Sequence, residues 1–142
     1  MAAATNHRFR IQLPKGWSDV TVHLFHGPDI GGMNHDLTLS IEDPAGTGNL
    51  EQYADLRVQN TIQSIPECEL VKQETVEFAN GTTARDVYLR EVGANGRTVF
   101  HRMVFMIIDS KGYTFRCRFT KHTLKTIGVE VQGIIDSLIT DV

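Results

Sequence analysis

Apolar and polar positions alternate along much of this chain, first in residues 9–25, FRIQLPKGWSDVTVHLF. The stretch reads as a short strand, a Pro14-Lys15-Gly16-Trp17 corner held by Trp17, and a second strand. In the second strand Val20, Val22 and Leu24 share one face, with Thr21 and His23 on the other. The same period predicts strands at about 8–13, 20–26, 36–42, 69–78, 83–92, 97–108 and 113–119. Asn80-Gly81 and Asn95-Gly96 supply the positive φ angles of tight hairpins, and Asp109-Ser110-Lys111-Gly112 makes a third turn. The last four strands therefore form an antiparallel meander. Within it Met103-Val104-Phe105-Met106-Ile107-Ile108, apolar at every position, belongs in the centre with cover on both sides.

Two stretches carry the helical period instead. Asn49 is placed to cap a helix with Gln52 at its third position, and Leu50, Ala54, Val58, Ile62 and Ile65 form one stripe before Pro66 ends it. This predicts a helix over about 49–65. A second begins near Thr120 or Thr123 and carries Leu124, Ile127, Val131, Ile134, Ile135 and Leu138. Gly128 and Gly133 weaken it by about 1 kcal/mol each relative to alanine, and small residues there would let it lie close to a sheet. The order of three strands, helix, four strands, helix predicts an α+β fold: an antiparallel sheet of about six to seven strands packed by two main helices.

Composition bounds the picture further. The 142 residues suit a single domain, 1–142, able to build its own core without metals or disulfides. Apolar content of 41% and charged content of 22% are those of a water-soluble protein, and no segment reaches the ~20 apolar residues of a membrane span. The first ten residues lack the apolar core of a secretory signal, so a cytoplasmic location is expected. Cys68 and Cys117 lie far apart, outside any CxxC, and read as reduced thiols in or near the core. Charge is uneven: residues 29–77 hold ten carboxylates against Arg57 and Lys72. Residues 85–125 carry Arg85, Arg90, Arg97, Arg102, Lys111, Arg116, Arg118, Lys121 and Lys125 against three acids. That basic region offers one alternative function, a non-enzymatic binding module for an acidic protein or nucleic acid.

The six histidines show neither an HExxH spacing nor paired cysteines, so neither a metal site nor any cofactor is expected. The loop HGPDIGGMNHD, residues 26–36, joins two strands and lacks the helix N-terminus that phosphate cradling needs, so it reads as a turn or flexible lip. Ser40, Ser110 and Cys117 sit in no nucleophile motif, and no enzyme is expected.

Three segments carry a family likeness: LPKGWSDVTVHLF (13–25), LSIEDPAGTGNLEQYADLRVQNTIQSIPE (39–67) and GRTVFHRMVFMIIDSKGYTFRCRF (96–119). Together they resemble the DcrB-like proteins of the PsbP-like superfamily, and within it the Eag-type chaperones of bacterial type VI secretion systems. The resemblance implies a cytoplasmic homodimer whose concave apolar surface shields the N-terminal transmembrane helices of an effector of PAAR or Rhs type until it is loaded on the secretion spike. No nucleic acid partner is implied. The groove would then fall on Val22, Leu24, Leu39, Ile65 and Val99. Met103 and Arg57 stand where the family often has glutamine, and methionine suits an adaptable apolar surface.

Overall fold

The structure, a computed structural model, describes residues 10–93 and 95–140. Its strands are β1 (Asp19–Phe25), β2 (Asp29–Ile30), β3 (Met33–Asn34), β4 (Leu37–Asp43), β5 (Cys68–Glu77), β6 (Thr83–Val92), β7 (Thr98–Ile108) and β8 (Lys111–Phe119). Helix α1 (Leu50–Ser64) precedes the meander, and a 3₁₀ turn (Thr123–Lys125) leads into α2 (Ile127–Asp136). Six strands pair antiparallel in the order β1-β4-β8-β7-β6-β5, and β2-β3 is a separate hairpin. The predicted α+β class and the four-strand meander are both present.

Local chemistry explains the boundaries. Asn49 Oδ1 accepts the Gln52 backbone N–H at 3.1 Å, which starts α1 at the expected residue. Asn80 and Asn95 keep ordinary φ while Gly81 (+83°) and Gly96 (+76°) take the left-handed positions. The two asparagine side chains instead accept the N–H groups of Thr82 and Arg97. The third turn is where both central residues, Asp109 (+52°) and Ser110 (+66°), have positive φ, as a two-residue hairpin with right-handed twist requires. Before α2, Thr120 and Thr123 accept each other's backbone N–H through their hydroxyls, a reciprocal cap that sets the 3₁₀ turn.

The sheet is apolar on both faces, as the run Met103–Ile108 demands. On one face Val87, Leu89, Met103 and Phe105 pack under Tyr53, Ala54 and Val58 of α1. On the other, Leu37, Leu39, Val104, Met106, Phe115 and Cys117 pack under Ile127, Val131 and Ile135 of α2. A Cβ added at Gly128 would stand 4.0 Å from Phe119, an ordinary contact distance, and one at Gly133 would meet open space, so neither glycine is required by a close approach to the sheet. A buried Arg102–Asp86 pair on the α2 face makes two hydrogen bonds of 3.0 and 2.9 Å, and Arg102 also donates to Gln132 of α2. Both cysteines are free thiols, Cys117 buried and Cys68 half-buried on the opposite face; burial raises the Cys117 pKa to about 11.

The first expected strand does not form. Residues 10–13 have no strand partner, residues 8 and 9 lie outside the described residues, and the Trp17 ring is 69% exposed. Only the Trp17 N–H to Pro14 carbonyl bond of the corner remains. No helix among the described residues is long and apolar enough to cross a membrane.

Candidate functional site

Helix α1 lies over β5, β6 and β7, so the same face of the sheet is uncovered where it continues onto β4 and β1. Antiparallel register fixes what that uncovered half displays, because directly opposed residues share a face. One row across the strands is Leu24, Thr38, Arg116 and Met103; the next is Val22, Ser40, Thr114 and Phe105. Val20 opposes Glu42 in a third row. At the edge strand Val20, Val22 and Leu24 are 55%, 59% and 53% exposed, a run of three aliphatic side chains, Val20 sharing a hollow of about 760 Å³ with Arg10, Ile11 and Leu13. The result is a slot with α1 as one wall, β1 as the other, and Thr38 and Ser40 in its floor.

Of the residues expected in a groove, Val22 and Leu24 stand open on this face. Val99 is half-buried farther along it, in a hollow of about 290 Å³ shared with Arg97 and Arg118. Met103 is on the same face but sealed beneath α1. Arg57 stands on α1 with both Nε and Nη2 donating to the Glu42 carboxylate, at 2.8 and 2.5 Å, and its guanidinium 3.6 Å from the centre of the Tyr53 ring. It braces α1 against β4, and the hydrogen-bonded guanidinium holds the Glu42 carboxyl below its usual pKa of 4.5, against the opposing effect of burial. Ile65 lines a different hollow, of about 430 Å³, with Ile62, Cys68 and Val92.

Leu39 is a correction. It opposes His23, not Val22, and so projects through to the α2 side, where it is 9% exposed beside Phe115 and Cys117. Strand parity allows no other placement once Val22 faces the slot. Its neighbours Thr38 and Ser40 occupy the floor, and these, with Val20 and Arg116, are the slot residues that sequence reasoning passed over. The same parity separates His23 from His101, which lie on opposite faces.

His101 sits under the α1 face, 2% exposed, with Nε2 2.8 Å from a Glu91 carboxylate oxygen and no hydrogen-bond partner for Nδ1 among the described residues. Burial pushes its pKa below the usual 6.5. Glu91 opposes this shift, and Arg116 and Arg118 reinforce it. A histidine that resists protonation when folded supports the fold fully above about pH 6.5 and progressively less as the unfolded chain gains its proton below that. The melting temperature is therefore expected to fall between about pH 7.5 and 5.5, with a shallower fall in His101→Gln. A rise on acidification in wild type would mean that Glu91 outweighs burial.

The basic stretch does not gather into one patch. Arg102 is buried with Asp86 under α2, Arg90 pairs with Glu69, Arg85 donates to Thr75, and Arg97 donates to the carbonyls of Gly31 and Gly32. That last clamp closes the β2–β3 hairpin, whose turn glycines have φ of +66° and +72°. The expected turn at residues 26–36 is thus a hydrogen-bonded hairpin. It is tied down further by His35, which donates from Nδ1 to the Pro28 carbonyl and meets the Thr123 hydroxyl through Nε2.

Six antiparallel strands, a helix on either face and an aliphatic edge left bare define this α+β domain. The chain belongs to the DcrB family, whose family model matches residues 10–137. No curated protein sequence matches it. Among solved structures, PA94 of Pseudomonas aeruginosa, a protein of unknown function, shares the fold with a TM-score of 0.72 and 17% identity over 93% of this chain and 91% of that one. Looser likenesses are the Ran-binding protein Mog1p of Saccharomyces cerevisiae (TM-score 0.48, 13% identity, 90% of this chain and 71% of that one) and LpqN, involved in cell envelope biogenesis of Mycobacterium tuberculosis (0.44, 12%, 88% and 84%).

Proposed function

We propose that this protein is a non-enzymatic chaperone or adaptor of the bacterial cytoplasm that holds the N-terminal transmembrane helices of a type VI secretion effector out of water before loading. The observation that carries the reading is the exposed row Val20, Val22 and Leu24 on the half of the sheet face that α1 leaves uncovered. A slot between an edge strand and a helix has the shape of a receptor for one more helix. Aliphatic walls accept apolar stripes of varied sequence, since the hydrophobic effect is non-directional. Hiding ~600 Å² of a client helix at ~25 cal/mol per Å² supplies about 15 kcal/mol before ordering costs are deducted. The free edge of β1 also gives a second copy a place to pair, and a homodimer would set two aliphatic rows side by side.

The resemblance of residues 13–25, 39–67 and 96–119 to Eag-type chaperones supports the same reading and names the client class as effectors of PAAR or Rhs type. Co-expression tests it. A carrier protein fused to an apolar helix of about 22 residues is expected to stay soluble and to co-purify with this chain at both low and about 1 M NaCl. A fusion that goes to the membrane or to inclusion bodies regardless of the chain would defeat the proposal.

A further inference from the structure

The open half of the α1 face is aliphatic along β1 but cationic along β8. Arg116 and Arg118 occupy successive same-face positions of β8, Arg116 in one row with Leu24 and Thr38, and Arg118 opposite His101. Other arginines of the domain are matched: Arg57 by Glu42, Arg90 by Glu69, Arg102 by Asp86, and Arg97 by two carbonyls. Among the described residues no carboxylate stands within ion-pair distance of Arg116 or Arg118. The acid beside them, Glu91, is engaged with His101. Arg116 is also half-buried, and burial, followed by the charge of Arg118, pushes its pKa down. A half-buried guanidinium with no ion-pair partner, set among aliphatic and hydroxyl side chains, is electrostatically incomplete, and a carboxylate from outside would complete it.

We propose that Arg116 and Arg118 form an anion seat at one end of the slot, taking an acidic side chain carried by the apolar helix that docks along β1 and β4. This deepens the reading of the slot as a helix receptor and rests on it. The dimensions suit: Leu24 and Arg116 are two strand spacings apart, about 10 Å, which is the width of one α-helix. A helix lying over β4 would therefore touch the aliphatic row on one side and the arginines on the other. An acid three or four residues from an apolar contact sits on the same helix face and reaches the seat. Aliphatic contacts alone leave the direction and register of a bound helix unspecified; one charged seat at one end fixes both.

Two labelled peptides of about 20 residues, Leu/Ala-rich helices differing only by Glu or Gln near one end, test this by fluorescence anisotropy. Wild-type protein is expected to bind the Glu peptide about tenfold more tightly than its Gln twin. In Arg116→Gln with Arg118→Gln the preference should shrink to within about twofold while the melting temperature holds. Equal binding of the two peptides by wild type, or a preference that survives in the double variant, overturns the seat and leaves the helix receptor standing. Failure of both peptides to bind overturns the receptor and the seat together. Displacement of the Glu peptide by a single-stranded oligonucleotide would reassign the arginines to phosphate.

Discussion

Replacing Val22 and Leu24 together by aspartate is expected to weaken binding of an apolar helix by at least a hundredfold while leaving the free protein folded. Each of these side chains is more than half exposed in the free domain, so neither contributes much to its core. Surface changes of that kind typically cost well under about 1 kcal/mol, somewhat more where a charge enters an edge strand. In the complex the same positions lie under the client. Losing one buried aliphatic contact costs about 1.5–3 kcal/mol and placing a carboxylate there costs more, so roughly 3 kcal/mol is a conservative sum for the pair. At 1.4 kcal/mol per tenfold that is a factor of about one hundred. Helix binding by anisotropy and thermal melting of the same preparations check the two halves of the statement. A double variant that binds normally would place the client elsewhere; one that melts early would show the row to be core.

The two faces of each strand were legible from alternation, and the positions of Val20, Val22 and Leu24 on a common face followed at once. Which of those faces meets which across the sheet was not legible. The family resemblance places Leu39 in the groove with Val22, yet the β1–β4 register sets Ser40 opposite Val22 and turns Leu39 toward α2. Register is a property of two strands, and one strand's pattern does not contain it. Residues 10–13 show the same gap between pattern and pairing: Arg10-Ile11-Gln12-Leu13 alternates like a strand yet joins none of the described strands, although β1 leaves one edge free.

Coverage was the second limit. Met103 and Val22 read alike in sequence, both apolar on a sheet, but α1 crosses one and misses the other. Local signals served well wherever the physics is local, as in the Asn49 cap, the stop at Pro66 and the glycine turns. The polar members of the slot were the hardest to find. Thr38 and Ser40 gave no signal beyond outward positions on a strand, and Arg116 was one of nine basic residues until its matched companions were removed. What distinguishes it is half-burial on the slot face without an ion-pair partner, a fact of three-dimensional neighbourhood.

Gly112→Ala is expected to be the most damaging small substitution in the wall of the slot. Gly112 lies on β8 between Glu42 and Ile107, directly under α1. A Cβ there would stand 2.1 Å from Tyr53 Oη and 2.3 Å from its Cζ, far inside contact distance. Tyr53 has little room to retreat. It is 1% exposed, its hydroxyl donates to Glu42 at 2.9 Å, its ring meets Phe105 edge-on, and the Arg57 guanidinium covers it. Overpacking of this kind costs about 1–3 kcal/mol and the lost hydrogen bond about 1 more, against a gain of about 0.4–1 from a less flexible unfolded chain. The net loss of about 2–3 kcal/mol should lower the melting temperature by roughly 10 °C. Tyr53→Phe removes only Oη and leaves Cζ in the way, so it should not rescue the variant, whereas Tyr53→Leu clears the site and should restore part of the loss. The same change should also loosen helix binding, because Tyr53 and Arg57 fix how far α1 stands from β4 and so how wide the slot is. A Gly112→Ala protein as stable as wild type would mean that α1 floats on the sheet, and that the slot has no fixed width to offer a client.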